Sequence, residues 1–137
     1  MTYCIEPLST RETDLINTVA SAVRMVEEIS SPAFKTMIDC SAAGQAEALS
    51  VEVLMGRWMP TGHIAHVQVN DPNRRCPGQG RMAFAPILET LRQMQTMGHY
   101  SGIIAVEPFD YFPDGPGSAA FAIGHLKGLL QALQLHD

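Results

Sequence analysis

Short apolar runs alternate with longer segments of helical periodicity along this chain. The four runs lie near residues 3–6, 34–39, 64–69 and 102–107. None of them alternates cleanly between apolar and polar positions, which is typical of strands buried on both faces of a parallel sheet. Each run is followed by a segment in which apolar residues recur at helical spacing. The order is therefore βαβαβαβα, which predicts an α/β fold whose parallel strands are joined by right-handed crossovers.

The helical segments have recognisable starts. The first two are predicted over Asp14–Ile29 and Ala46–Met59, the third opens at Pro86, and the fourth follows a Gly-Pro-Gly turn with Ser118 as its N-cap. No linker divides the series, so residues 1–137 are expected to form a single domain.

Each predicted strand ends in a side chain that carries an oxygen ligand. These residues are Glu6, Asp39, Gln68 and Glu107, spaced by about one βα unit. Because parallel strands end at the same edge of a sheet, the four side chains are expected to converge, as they do at the active-site end of a (β/α)8 barrel. Three carboxylates and an amide oxygen suit Mg²⁺ or Mn²⁺ better than zinc. The simpler interpretation is that each acid is a solvated loop residue, but converging carboxylates without a cation would repel one another.

Composition narrows the class of protein. Of the 137 residues, 46% are hydrophobic, which is enough for a packed core. Nine basic against 14 acidic residues give a net charge of −5, which argues against a nucleic-acid partner. No apolar run is long enough to cross a membrane, and the N-terminus shows no secretory signal. Three widely spaced cysteines fit neither a disulfide framework nor a CxxC zinc site, so a reducing cytoplasm is the expected setting.

Several motifs in this order carry a family resemblance. They are HVQVNDPNRR at 66–75, PGQG at 77–80, GIIAVEPF at 102–109, IEPL followed by RET within 5–13, and KTMID at 35–39. Together they resemble the sugar isomerase/epimerase superfamily of xylose isomerase-like TIM barrels, which includes the D-tagatose 3-epimerase and hydroxypyruvate isomerase families. The resemblance covers nearly the whole chain, and its motifs are specific in combination rather than singly.

The resemblance implies a divalent metal and an isomerase or epimerase reaction. Glu6, Asp39, Gln68 and Glu107 would hold Mn²⁺ or Mg²⁺, with Co²⁺ as a further option. The position of Gln68 is usually a histidine in the epimerase branch and a glutamine in the hydroxypyruvate isomerase branch. The two glutamates would move protons on opposite faces of a sugar or hydroxy-keto-acid substrate through an enediolate.

The resemblance also implies a substrate-binding set. Glu12 and Arg74 would contact substrate hydroxyls or a carboxylate. Ala42 stands where the family commonly has a substrate-contacting histidine, and Ser41 or His66 are the candidates to compensate for it. Alternation along the strand is interpreted as turning His66 away from the direction of Gln68, which favours a packing role for the imidazole.

The chain is short for this family, because a full barrel needs about 250 residues. Its four βα units resemble the C-terminal half of a (β/α)8 TIM barrel, so two chains are expected to pair as a homodimer that completes the barrel. The alternative is a catalytically inactive half-barrel that serves as an assembly or binding module. A third, weaker alternative is a half-barrel that pairs with a separately encoded N-terminal half.

Overall fold

The computed structural model describes residues 1–134 as a parallel sheet with helices. The strands are β1 (Tyr3–Ile5), β2 (Phe34–Asp39), β3 (Ile64–Val69) and β4 (Ile104–Val106). The helices are α1 (Val19–Ile29), α2 (Cys40–Ala46), α3 (Val51–Trp58), α4 (Phe84–Thr96) and α5 (Gly115–Gln134), with a 3-10 turn at Met59–Thr61 after α3. The predicted α/β class is confirmed. Among the described residues, no helix is both long and apolar enough to cross a membrane.

The sheet has the order β1-β2-β3-β4, and all three neighbouring pairs are parallel. β2 and β3 have the predicted bounds, whereas β1 and β4 are only three residues long. Asp39 lies opposite Gln68, and Gln68 lies opposite Ala105. This register brings the carboxyl ends of the strands to one edge of the sheet.

The first helix starts later than predicted. α1 begins at Val19 because the Thr18 hydroxyl accepts the Ser21 N–H at 3.1 Å and caps the helix there. Residues 14–17 form an irregular turn before this cap. Asn17 holds the turn by donating its amide to the carbonyls of Leu8 and Thr13, each at 2.8 Å.

The predicted helix over Ala46–Met59 exists as α3 but starts later than predicted, and α2, which precedes it, was not predicted. α2 starts directly after β2, where the Asp39 side chain accepts an N–H and acts as the N-cap. The chain then leaves the helix at Glu47, whose carboxylate accepts the N–H of Val19 at 2.7 Å at the start of α1. This contact joins residues that are far apart in sequence and stabilises a break that local periodicity does not reveal.

In contrast to α1, the last two helices begin earlier than predicted. α4 begins at Phe84 rather than at Pro86. α5 begins at Gly115, where the Asp114 carboxylate accepts the Gly117 N–H at 2.7 Å. Ser118 is therefore not the N-cap; it is buried inside the helix, and its hydroxyl bonds to the backbone of the preceding loop.

The core lies between the sheet and the helices. Ile38, Val67 and Val69 are fully buried on the sheet and pack in one cluster with helix residues such as Leu54 and Leu91. Burial of these large side chains is the main favourable term for the fold. The alternate positions of the strands point to the opposite face, which is where the candidate ligands lie.

The sheet is open at both edges within the described residues. β1 pairs only with β2, and β4 pairs only with β3. Ile103, next to β4, is 75% exposed, and Tyr3 of β1 is 65% exposed. A parallel sheet with two free edges leaves unpaired backbone donors and acceptors along them.

Candidate metal and substrate site

Three carboxylates meet at the carboxyl edge of the sheet. Glu6 follows β1, Asp39 is the last residue of β2, and Glu107 follows β4. One ligand oxygen from each residue lies within 4.8 Å of the other two. The predicted convergence of these acids therefore occurs in the structure.

Asp39 is the most buried and the most firmly held of the three acids. It is 4% exposed, and its Oδ1 accepts the Ala42 N–H at 2.6 Å. Its Oδ2 accepts the Asn70 amide at 2.9 Å. Both carboxylate oxygens are thus oriented by the protein, and each retains a further lone pair.

The three acids disfavour one another when ionised. Burial, followed by the charges of Asp39, Glu107 and Glu12, raises the pKa of Glu6 to about 7. Burial also raises the pKa of Asp39, although the N–H of Ala42 and the amide of Asn70 act in the opposite direction. The pKa of Glu107 is raised by burial and by the charge of Asp39. This arrangement is stabilised by protons or by a cation.

Gln68 lies next to the acid cluster, in contact with Glu107. Its side chain hydrogen-bonds to Glu107, which lowers the pKa of that carboxyl in opposition to burial. Its Oε1 is buried and has no hydrogen-bond partner. A buried carbonyl oxygen without a partner is costly, and a bound cation would satisfy it. Three carboxylates and this oxygen match the donor preference of a hard divalent cation, so the residues present fit such an ion.

The acids form one wall of a cavity of about 340 Å³. The predicted substrate-binding residues Glu12 and Arg74 line the same cavity. Glu12 accepts both the N–H and the hydroxyl of Ser9, at 3.2 and 2.8 Å, which holds the first loop against the site. Ala42 also lines the cavity and presents a methyl group.

Arg74 is held in an unusual backbone conformation beside the cavity. Its φ is +72°, in the left-handed region, which costs a non-glycine residue about 1–2 kcal/mol. Its carbonyl oxygen accepts the N–H groups of Phe109 and Asp110, each at 2.9 Å. Its guanidinium carbon lies 5.4 Å from the centroid of the Phe109 ring. Backbone strain offset by such contacts is typical of functional positions.

His66 differs from its predicted orientation. It lies two residues before Gln68, so the pleat places the two side chains on the same face of the sheet. The register pairs His66 with Met37, one step before the Asp39–Gln68 pair. The prediction that it points away from the direction of Gln68 is therefore wrong. His66 also does not line the cavity, whereas Ser41 does.

Several polar residues at the site were not predicted from the sequence, among them Arg11 and Asn70. Arg11 lines the cavity and adds a second guanidinium to that of Arg74. Asn70 is fully buried and bonds to Asp39. Its position two residues after Gln68 continues the alternation of the strand, and this signal could have identified it.

Curated relatives of known activity match most of this chain. The D-psicose 3-epimerase of Agrobacterium fabrum is 30% identical over 106 residues, which cover 77% of this chain and 34% of the relative. The D-psicose 3-epimerase of Ruminiclostridium cellulolyticum is 29% identical over 108 residues, with 78% and 34% covered. The chain therefore spans about a third of the length of these relatives.

Solved structures give the same relationship. A D-psicose 3-epimerase from Clostridium cellulolyticum superposes with a TM-score of 0.69 at 28% identity and covers 80% of this chain and 35% of its own. An L-ribulose 3-epimerase shares the fold with a TM-score of 0.74 at 19% identity, and all of this chain matches 51% of it. The four parallel strands thus correspond to half of a TIM barrel, as predicted. Because the family model for xylose isomerase-like TIM barrels matches residues 1–129, the chain belongs to the xylose isomerase-like TIM barrel family.

Proposed function

We propose that this protein is a divalent-metal-dependent isomerase or epimerase that acts on a hydroxy-ketone sugar or a hydroxy-keto acid. The observation that carries the proposal is the meeting of Glu6, Asp39 and Glu107 within 4.8 Å beside the unpartnered oxygen of Gln68. The cavity next to them has room for a small substrate and contains Arg74. The relatives named D-psicose 3-epimerase support the reaction class.

Glu6, Asp39, Gln68 and Glu107 would hold the cation, for which Mn²⁺ and Mg²⁺ are the first choices and Co²⁺ a further one. Such an ion, when bound, supplies a Lewis acid that polarises the substrate carbonyl and acidifies the neighbouring C–H. Asp39 is the anchor of this set, because both of its oxygens are already oriented. Gln68 contributes a neutral oxygen and limits the negative charge at the centre.

Glu6 and Glu107 would carry the proton transfers. They follow the two outermost strands and so flank the other two ligands. One of them would take the proton from the carbon beside the ketone, and the other would return a proton at the opposite face or at the adjacent carbon, by way of an enediolate of the substrate. Burial and neighbouring carboxylates raise the pKa of Glu6 to about 7 in the cation-free protein, and a cation held by the same carboxylates would lower this pKa.

Arg74 and Glu12 would orient the substrate. The Arg74 guanidinium can bind a carboxylate or stabilise negative charge that develops on the substrate oxygens. Glu12 can accept a substrate hydroxyl. Arg11 adds a second cation to the same cavity, which favours the acid-bearing substrates within the proposed range.

We also propose that residues 1–137 act as one half-barrel domain and that two copies complete the barrel as a homodimer. The open edges of β1 and β4 and the exposed side chains of Tyr3 and Ile103 support this pairing. A stable, folded monomer in light scattering at micromolar concentration would contradict it.

Cys4, Cys40 and Cys76 are free thiols, which supports the proposed cytoplasmic setting.

Calorimetry with Mn²⁺ tests the central proposal. Wild type is expected to bind close to one ion per site, and Asp39→Asn is expected to lose that binding. Asparagine remains a good N-cap for α2. Its amide nitrogen would replace an oxygen that accepts the Asn70 amide, so circular dichroism must show that the variant is folded. Asp114→Asn is the matched control, because Asp114 caps α5 in the same way but lies outside the cavity.

The controls separate the possible outcomes of this titration. Retained Mn²⁺ binding in Asp114→Asn would show that the loss in Asp39→Asn does not come from a weakened cap. No Mn²⁺ binding by well-folded wild type would remove the proposed metal-dependent activity. The inactive half-barrel would then become the leading alternative.

A further inference from the structure

Asn70 is the most highly connected polar side chain beside the three acids. It follows β3 by one residue and is fully buried. Its Nδ2 donates to Oδ2 of Asp39 at 2.9 Å and to the carbonyl oxygen of Glu107 at 3.0 Å. Its Oδ1 accepts the N–H of Ser41 at 2.9 Å. One amide therefore joins the ends of β2, β3 and β4.

The chemistry of the partners admits only one orientation of this amide. The Ser41 N–H is a donor, so it requires the Asn70 oxygen. The Asp39 carboxylate and the Glu107 carbonyl are acceptors, so they require the Asn70 nitrogen. Both amide protons and one lone pair are thereby used in a place from which water is excluded. A buried network in which each member is satisfied is rigid.

Without Asn70, Asp39 would be held much less firmly. Its remaining contacts would be the backbone N–H groups of Ala42 and Ser41, and Oδ2 would lose its side-chain donor. The end of β4 would also lose a link to β2 that runs through the Glu107 carbonyl. The Asp39 carboxylate and the backbone of Glu107 are therefore both tied to this one side chain.

We infer that Asn70 is the positioning residue of this centre, which sets the Asp39 carboxylate and holds the Glu107 segment at a fixed separation from it. The inference rests on the proposed function only where metal affinity is concerned, because the hydrogen bonds exist without a cation. An amide suits this role, since it donates to a carboxylate without adding a charge to an already acidic cluster.

Two readouts on Asn70→Ala test the inference. The first is amide hydrogen exchange of Ala42 in metal-free protein, because the Ala42 N–H stays protected only while Asp39 keeps its place. Protection is expected to fall about tenfold or more when Asp39 is released. The second is the Mn²⁺ dissociation constant, which is expected to weaken by about 10–100-fold, as is usual when a partner of a metal ligand is removed.

Asn17→Ala is the matched control for a purely structural effect. Asn17 also donates two amide hydrogen bonds to the backbone, but it touches none of the three acids. The control is expected to lose stability while Ala42 protection and Mn²⁺ affinity stay at wild-type values. If Asn70→Ala does not fold, Asn70→Ser provides the same two readouts with a smaller cavity.

The results distinguish failure of the inference from failure of the proposed function. Unchanged Ala42 protection and unchanged Mn²⁺ affinity in folded Asn70→Ala or Asn70→Ser would overturn the positioning role. An equal loss of both in Asn17→Ala would also overturn it, because the effect would then be one of general stability. Loss of Ala42 protection specific to the Asn70 variants, in a protein that does not bind Mn²⁺, would uphold the positioning role and remove the proposed function.

Discussion

Replacing Glu6 with glutamine tests the electrostatic character of the acid cluster. In the cation-free protein, burial and the charges of Asp39, Glu107 and Glu12 raise the pKa of Glu6 from 4.5 to about 7. The folded protein therefore binds this proton more tightly than the unfolded chain does. The resulting stability is fully present below pH 4.5 and is lost as the pH rises to about 7.

The size of the effect follows from the displacement of the pKa. The whole change from 4.5 to about 7 corresponds to at most about 3.4 kcal/mol of unfolding free energy. Glu6 is only half-buried, and solvent screening reduces the expected value to about 1–2 kcal/mol. Glutamine cannot ionise, so Glu6→Gln should be more stable than wild type by this amount near pH 8 and about equal to it near pH 4. The raised pKa values of Asp39 and Glu107 act in the same direction and leave some pH dependence in the variant.

Urea unfolding in the presence of EDTA at the two pH values measures this difference. Glu28→Gln, at an exposed site on α1, is the control, and its free energy of unfolding should equal that of wild type at both pH values. In a separate measurement without EDTA, Mn²⁺ at a hundred times its dissociation constant should raise the free energy of unfolding of wild type by about 2.7 kcal/mol near pH 8. The reasoning is refuted if Glu6→Gln is no more stable than wild type near pH 8 while both proteins remain folded.

Three further predictions concern the proton carriers, the strained arginine and a tightly packed glycine. Glu107→Gln should slow Mn²⁺-dependent exchange of the substrate C–H in deuterated water by about 10²-fold or more, as measured by proton NMR. Full exchange activity in this variant would remove the mechanism. Arg74→Gly should lower affinity for an acidic ligand without lowering the unfolding free energy, because glycine adopts a positive φ freely; a large loss of stability would contradict the assigned strain. Gly80→Ala should lower the free energy of unfolding by about 1–3 kcal/mol, because the added Cβ would overlap the Asp71 carboxylate. Gly124→Ala on α5 is the contrasting variant: its Cβ meets open space, so it should raise the free energy of unfolding.

The periodicity of the chain was sufficient to predict the strands and the convergence of the acids. A parallel βα unit has a nearly constant length, and the residues at or just after the carboxyl ends of the strands lie at the same edge of the sheet. Local pattern and strand polarity therefore bring Glu6, Asp39 and Glu107 to one edge. Their approach to within 4.8 Å is a tertiary feature, because the outer strands of a flat four-stranded sheet lie about 14 Å apart. The family resemblance added the roles of Glu12 and Arg74, and both residues line the cavity.

Helix boundaries were less predictable, because they depend on contacts between distant residues. The break between α2 and α3 follows from the bond of Glu47 to the start of α1, which no local window contains. The start of α1 is decided by the cap at Thr18 and by the turn that Asn17 ties to Leu8. Apolar spacing continues through such breaks and so predicts helices that are too long, as at the starts of α1 and α3.

The sequence by itself thus predicted three acids that converge and the end of the sheet that they share. Only the tertiary structure decided how they are held. The bonds of Asn70 to Asp39 and Glu107, and the buried oxygen of Gln68, arise where three strand ends meet. The physical reason is that the edge at which the acids lie follows from strand polarity and side-chain alternation, which are local, whereas their orientation and pKa depend on burial and partners that distant segments supply.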